Sequence, residues 1–211
     1  MDPARIAELL RPFTGDAELP AKMLDQFRLC LDLLLRWNAR VNLTAVRDPE
    51  QIVTRHFGES LFTAQMLDPQ AAGPITLADV GSGAGFPGIP IKLWAPHIEL
   101  TLIESQNKKA TFLREASRTL KLDRVQVFCG RAEQWGQTAD LVTLRAVEQF
   151  ERALPVAANL VRQGGRLCLL IGSSQMNSAR ELSGEQWMWH DPLPVPLSTG
   201  RVLMIGERRG S

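Results

Sequence analysis

The sequence is poor in the residues that build disulfide and metal sites. It holds three cysteines and three histidines, and it contains neither a Cys-X-X-Cys pair nor a His-X-X-X-His pair. Cys30, Cys129 and Cys168 are odd in number, distant along the chain and set in apolar surroundings, which favours reduced core thiols over bridges. We therefore expect no disulfide and no metal site.

Long apolar runs and a charge excess are also missing. The first residues, MDPARIAELLRPF, are charged and interrupted by prolines, unlike a secretory signal, and no later stretch has the length that crosses a bilayer. The formal net charge is +1, so whole-molecule charge does not indicate a nucleic-acid partner. These features predict a cytoplasmic protein without a membrane partner.

Charge is nevertheless uneven along the chain. Residues 105–131 hold seven Lys and Arg but only two Asp and Glu, and the basic series begins with Lys108 and Lys109. Such a segment can bind phosphates, and a solvated helix face is the alternative.

The first part of the chain has helical periodicity. Apolar residues recur at helical spacing in PAKMLDQFRLCLDLLLRWNARVNL, which begins at Pro20. In DPEQIVTRHFGESLFTAQML, Asp48 is a candidate N-cap, and AAGP at 71–74 ends the helical part. We predict a helical subdomain over residues 1–72 and a second unit over residues 73–211.

After residue 74, short apolar runs alternate with helical patterns, which indicates an α/β fold with a mostly parallel sheet and crossover helices. The predicted strands are 75–80, 98–104, 125–130, 139–144, 165–172 and 201–207, and WMWHDPLPVPLSTG is a weaker candidate for a seventh. The predicted helices between them are 87–95, 106–121, 151–163 and 176–183.

A glycine-rich loop follows the first strand in LADVGSGAGFPGIP, residues 77–90. Gly83, Gly85 and Gly88 spell the dinucleotide pattern GxGxxG, but Gly81 is the first glycine after the strand, which makes the pattern GxGxG. A P-loop is excluded because no Gly-Lys-Ser/Thr follows. The loop favours a nucleotide at the carboxyl edge of the sheet, and a tight turn without a ligand is the alternative.

Two carboxylates indicate which nucleotide fits. Asp79, directly before the loop, would repel a pyrophosphate and attract the ammonium and sulfonium of S-adenosylmethionine. Glu104 ends the second strand, where a carboxylate can accept hydrogen bonds from ribose hydroxyls. We expect adenine to lie along Ala132 and Glu133 in CGRAEQW. Arg145, at the end of the fourth strand, is either a functional group or a salt-bridged strand end.

The sequence resembles the bacterial RsmG (GidB) methyltransferase family over most of its length. The resemblance rests on RWNARVNLTAVRDPEQIVTRHFGESL, DVGSGAGFPGIPIKLWAP, LIESQNKKATFLREASRTLKL, GRAEQW and LRAV. It implies a class I, Rossmann-like fold with a seven-stranded sheet, and transfer of a methyl group from S-adenosylmethionine to guanine N7 of 16S ribosomal RNA. It also implies cofactor contacts at Gly81, Phe86, Ala132, Glu133 and Arg145.

The chain departs from the usual family pattern at three positions. Glu59 replaces the aspartate of RHxxDS, Leu144 stands where a serine is common, and Ile171 replaces a lysine before Gly172. The last change removes a candidate contact to RNA or to the target base.

Guanine N7 carries a lone pair and no proton, so the implied reaction needs positioning rather than a general base. We expect Arg145, Asn42 and His56 to position the reactants, and Thr44, Arg47, Arg55, Lys108 and Lys109 to help place a small-subunit RNA or 30S particle. Turn and cap chemistry is the alternative for Asn42 and Thr44, and a hydrogen-bonded role is favoured for His56. Phe27 and Trp37 are assigned to the core.

Two other functions remain open on the sequence. One keeps the cofactor but changes the acceptor to a small molecule or a protein, and the other is a nucleotide-binding ribosome assembly factor without catalysis. We expect a monomer.

Overall fold

The computed structural model describes residues 1–67, 75–146 and 149–210. The predicted boundary at 72/73 and the AAGP segment lie outside these residues. Within them, no helix combines the length and the apolar character needed to cross a bilayer.

Four α-helices and a π-helical turn form the N-terminal part. They are α1 (Pro3–Thr14), α2 (Ala21–Asn38), α3 (Pro49–Ile52), the π-helical turn (Val53–Gly58) and α4 (Glu59–Leu67). Asp48 caps α3 as predicted, with its Oδ1 accepting from the Gln51 N–H at 2.8 Å. Helix α2 ends before the predicted Leu43, because the Asn38 side chain accepts from the N–H groups of Leu43 and Thr44 at 2.9 and 3.1 Å.

The remainder alternates strands with helices. The strands are β1 (Thr76–Val80), β2 (Glu99–Glu104), β3 (Val125–Cys129), β4 (Ala139–Arg145), β5 (Val161–Gly172), β6 (Trp187–Trp189), β7 (Leu193–Pro194) and β8 (Arg201–Arg208). The helices are α5 (Gly88–Trp94), α6 (Asn107–Thr119), α7 (Phe150–Asn159) and α8 (Met176–Ser183), with 3-10 turns at Ala132–Gln134 and Ser173–Gln175.

The strand order is β3-β2-β1-β4-β5-β8-β6, with the two-residue β7 beside β8. Strands β1 to β5 are parallel and β8 is antiparallel to β5. The predicted seven strands therefore form this path, and β7 adds a short eighth. Helix α7 ends and β5 begins earlier than predicted, because Val161 already pairs with Ala139 across a register shift and Gly164 takes a positive φ of 70°.

Two apolar cores cover the two faces of the sheet. Helices α1 to α6 pack on one face, and α7 and α8 pack on the other. Phe27 is fully buried and stacks on Phe57 with ring centroids 5.0 Å apart, as assigned. Trp37 lies at the edge of the same core, edge-on to Phe112.

The thiols only partly follow the prediction. All three cysteines are free, and burial raises the pKa of Cys30 and of Cys168 to about 12. Cys129 was wrongly assigned to the core. It is half-buried, and its Sγ donates to Asn107 Oδ1 at 2.9 Å, because it ends the outermost strand of the sheet.

Candidate cofactor and acceptor site

A cavity of about 1000 Å³ opens at the carboxyl edge of the sheet, between the glycine loop and the helical N-terminal part. Both units contribute to its wall, so the site spans the predicted subdomain and the sheet. Its size is at the upper end of the range for small-molecule sites, which leaves room for a nucleotide cofactor and part of an acceptor.

The glycine loop is built by backbone geometry that glycine tolerates. Gly81, Gly83 and Gly85 have positive φ angles of 69°, 55° and 87°. The N–H groups of Gly81 and Ser82 both donate to the Ile103 carbonyl, at 2.9 and 3.0 Å, which fastens the start of the loop to β2. A side chain at Gly83 would project into open space, and the nearest atom of the described residues is the Gly81 carbonyl oxygen, at 3.8 Å.

Glu104 is fixed at one end of the cavity by two backbone donors. Its Oε2 accepts from the Gly83 N–H at 3.0 Å and its Oε1 from the Gln106 N–H at 2.8 Å. Glu104 is 5% exposed and lines the cavity. Each carboxylate oxygen keeps acceptor capacity for a ligand hydroxyl, because ionised oxygens accept more than one hydrogen bond.

Asp79 was expected to face the cofactor, but it lies outside the cavity wall. It is fully buried, accepts from Thr143 Oγ1 at 2.7 Å and from the Gly88 N–H at 3.2 Å, and is absent from the cavity wall. Burial raises its pKa to about 6. The carboxylate therefore lies beneath the loop and joins β1, β4 and the start of α5. Gly85 is likewise outside the wall, since a Cβ there would meet Ile89 Cδ1 at 2.4 Å.

Arg145 is the centre of a buried polar cluster at the other end of the cavity. Its Nη2 donates to Glu59 Oε2 at 2.9 Å and to the Arg55 carbonyl at 2.6 Å. Glu59 also accepts from Arg201 Nη1 at 2.8 and 2.7 Å, so one carboxylate lies between two guanidinium groups. Within the described residues, Arg145 Nε has no hydrogen-bond partner.

His56 lies between this cluster and Phe86. Its ring stacks on Phe86 with centroids 4.9 Å apart, Nδ1 is 3.0 Å from Arg145 Nη2, and Nε2 is 2.8 Å from Thr44 Oγ1. Burial, with Arg145 and two further arginines, lowers the pKa of His56 to about 3. His56 is therefore neutral near pH 7, and a pKa so far below 7 makes its ring a poor proton acceptor.

The structure brings most of the predicted site residues together. The cavity wall includes Asn42, Thr44, Arg55, His56, Gly81, Gly83, Phe86, Glu104, Lys109, Ala132, Glu133 and Arg145. Arg47 and Lys108 are exposed and lie outside the wall. Arg47 instead donates to the Asn38 carbonyl at 2.8 Å and to Asn42 Oδ1 at 3.3 Å, so it stabilises the turn after α2.

Two arginines of the wall, Arg152 and Arg201, were not among the predicted site residues. Among the described residues, the wall holds six cationic side chains and two carboxylates: Arg55, Lys109, Arg131, Arg145, Arg152 and Arg201 with Glu104 and Glu133. Behind the wall, Glu59 binds Arg145 and Arg201. This local excess contrasts with the almost neutral whole chain and favours a polyanionic acceptor.

The GidB family model, described as rRNA small subunit methyltransferase G, matches residues 23–191. The chain belongs to this family. A ribosomal RNA small subunit methyltransferase G from Xanthomonas euvesicatoria pv. vesicatoria is 44% identical over 184 residues, covering 85% of this chain and 84% of that protein. One from Stenotrophomonas maltophilia (strain K279a) is 38% identical over 206 residues, covering 96% and 95%.

Solved structures confirm the class I methyltransferase fold of this RsmG (GidB) family member. Magnesium protoporphyrin IX methyltransferase from Synechocystis PCC 6803, solved with bound S-adenosylmethionine, has a TM-score of 0.66 at 14% identity. That comparison covers 92% of this chain and all of the other, 100%. The predicted family and the predicted S-adenosylmethionine-dependent methyltransferase are confirmed.

Proposed function

We propose that this protein transfers the methyl group of S-adenosylmethionine to N7 of a guanine in 16S ribosomal RNA, acting as a monomer. The observation that carries the proposal is the cavity itself. It has a nucleotide cradle at one end, the buried Arg145 guanidinium at the other, and a cationic wall to which the sheet and the helical part both contribute.

The residues present fit the cofactor. Glu104 is held with acceptor capacity toward ribose hydroxyls, while Ala132 and Glu133 lie on the same wall for adenine. Gly83 leaves room for close approach, and Arg145 lines the far end of the cavity, where its positive charge suits the methionine carboxylate. Bound S-adenosylmethionine supplies a methyl group on a sulfonium.

Asp79 and Gly85 support the cofactor indirectly in this proposal. Asp79 holds the start of α5 through the Gly88 N–H, and Gly85 lets the loop pack on Ile89. The buried Asp79 carboxylate is weakly screened by solvent. When it is ionised, its negative charge therefore still attracts the positive charges of the cofactor.

The residues of this protein contribute by binding the cofactor and the guanine and by aligning them for transfer. His56, with a pKa far below 7, takes no proton, and guanine N7 has none to give up. Alignment of nucleophile and methyl can account for about 7–11 kcal/mol of barrier reduction in well-oriented systems. Arg55 and Lys109 on the wall, with Arg47 and Lys108 outside it, place the RNA through its phosphates.

A combined binding and transfer experiment tests the proposal. Labelled S-adenosylmethionine is incubated with small subunits or free 16S RNA from a strain lacking the enzyme, and with unrelated protein as a control acceptor. Label should enter the RNA in the first two samples and not the protein. Cofactor binding without transfer would leave the assembly-factor function, and label in protein would indicate another acceptor.

Two variants on strand β2 test whether Glu104 binds the cofactor. Glu104→Gln should weaken cofactor binding at least about tenfold in calorimetry, because the ribose and the Gly83 N–H lose a charged acceptor. Glu99→Gln on the same strand is exposed and should bind as the wild type does. Equal affinities for the two variants would contradict the assignment of Glu104.

A further inference from the structure

One exposed face of helix α6 is rich in cations. Lys108, Thr111, Arg114 and Arg118 recur every three or four residues and are all exposed, so they share one side of the helix. Lys121, also exposed, follows directly after the helix. The buried residues of α6 lie on the opposite side, in the apolar core. We call the four cations, Lys108, Arg114, Arg118 and Lys121, the α6 basic row.

The two acids of the same segment do not neutralise this row. Glu115 is half-buried and accepts a hydrogen bond from Trp37 Nε1 at 3.2 Å. Asp123 has its carboxylate 3.8 Å from Nζ of the buried Lys92. In the part of the chain that the structure describes, no member of the row forms an ion pair. The positive charges of the row are therefore available to a polyanion.

Helix stability does not account for the first half of the row. Lys108 lies in the first turn of α6, where a positive charge opposes the helix dipole and where no acidic residue stands. Arg114 and Arg118 are four residues apart, and like charges at that spacing repel. The dipole favours only the cations at the other end, Arg118 in the last turn and Lys121 beyond it.

The row begins at the cavity and leads away from it. Lys109, the neighbour of Lys108, lines the cavity wall, as do Ser105 and Gln106 before the helix. From Lys108 to Arg118 the helix rises about 15 Å, at 1.5 Å per residue. An RNA acceptor is a chain, so a strand whose guanine enters the cavity continues past the rim of the cavity. The basic row offers that strand a surface with the charge that phosphates require.

We propose that the α6 basic row binds the sugar–phosphate backbone of the RNA strand beside the target guanine, whatever its base sequence. The inference rests on the proposed function and adds Arg114, Arg118 and Lys121, none of which lines the cavity. Phosphate contacts position a nucleic acid and carry no sequence information. The row therefore raises the affinity for RNA without touching the cofactor or the reacting atoms.

Charge-matched double variants test the row. Arg114→Gln with Arg118→Gln removes two charges from it, and Arg11→Gln with Arg209→Gln removes two charges from exposed arginines that lie outside both the row and the cavity wall. Lys121→Gln is a third, single variant. Binding to naked 16S RNA is measured between about 50 and 200 mM salt, because each neutralised phosphate contributes about 0.7–0.9 to the slope of log affinity against log salt.

The α6 pair should bind RNA at least about tenfold more weakly at 100 mM salt, with a slope shallower by roughly 1.4–1.8. Lys121→Gln should lose about half of that slope, and the Arg11 and Arg209 pair should keep the wild-type slope. An unchanged slope for the α6 pair, or equal losses in the two pairs, would overturn the inference. A loss seen with small subunits and absent with naked RNA would also overturn it, because the row would then bind something other than RNA.

Transfer kinetics separate RNA binding from chemistry. The α6 pair should raise KM for RNA at least about tenfold and keep kcat, and its affinity for S-adenosylmethionine should equal that of the wild type. A lower kcat at saturating RNA would contradict a surface remote from the reacting atoms. If the slopes differ as expected but no RNA is methylated, the proposed function fails and the RNA-binding row stands. If guanine is methylated and the slopes are equal, only this inference fails.

Discussion

Gly83 and Gly85 differ in what an added methyl group would meet, although both have positive φ angles. Gly83→Ala should cost about 1 kcal/mol of stability from the left-handed backbone and should weaken cofactor binding, because its Cβ projects into the cavity. Gly85→Ala should cost about 3 kcal/mol, since its Cβ also meets Ile89 at 2.4 Å. Urea unfolding and cofactor titration of both variants separate the two effects, and a reversed order of stability would contradict the loop geometry.

His56 gives the protein a defined acid sensitivity. Its folded pKa of about 3 lies below the ordinary histidine value of 6.5, so the unfolded chain binds a proton more readily. Above pH 6.5 both states hold His56 neutral, and its protonation costs no stability. As the pH falls from 6.5 toward 3, the unfolded state binds the proton first, so the free energy of unfolding decreases. His56→Gln should flatten this loss when the free energy of unfolding is measured across that range.

Two comparisons isolate the contribution of His56. Asp79 has the opposite slope, because its raised pKa of about 6 removes stability as the pH increases. Both the wild type and His56→Gln contain Asp79, so subtracting one stability profile from the other removes the contribution of Asp79. The exposed His190, replaced by Gln, serves as the control, and the prediction is wrong if both variants keep the wild-type pH profile.

At the scale of elements, Glu59 joins the helical part to two strands. Arg145 on β4 and Arg201 on β8 both bind its carboxylate, and the Glu59 side chain is 4% exposed. Glu59→Gln should lower stability by about 3 kcal/mol, because it leaves the buried Arg145 charge without its partner. Chemical denaturation measures the loss.

Arg201→Gln is the matched variant on the outer side of the same cluster. Its side chain is 26% exposed, and Glu59 keeps Arg145 when Arg201 is removed. We expect a loss of about 1 kcal/mol or less. A larger effect for Arg201→Gln than for Glu59→Gln would contradict the view that Arg145 is the buried, dependent charge.

Elements were predictable where the local sequence determines them. The Asp48 cap, the apolar stripe of α2 and the strand runs are local patterns, and they gave correct elements. The end of α2 was not predictable from its apolar spacing, since the Asn38 side chain terminates it. Asp79 was placed in the cavity because the sequence sets it beside the loop, but neighbouring strand residues face opposite sides, and Asp79 faces α5.

At the scale of the molecule, the site depends on contacts distant in sequence. Arg201 reaches Glu59 from 142 positions away, and no periodicity or motif signals that pairing. The helices of residues 1–67 share one apolar core with a face of the sheet, so the residues that the helical part adds to the cavity wall are held in place beside the cofactor cradle. The division at 72/73 stays a prediction about subdomains within this shared core.

The central claim is methyl transfer to guanine N7, and the chemistry of the product tests it most directly. Methylation at N7 makes the base cationic, so borohydride reduction and aniline cut the RNA chain at that nucleotide. Small-subunit RNA from a strain lacking the enzyme should be cut at one guanine after treatment with the protein and S-adenosylmethionine, and should stay intact at that guanine without the cofactor. Incorporated methyl label without strand scission, or label mapped to another base, would contradict the account.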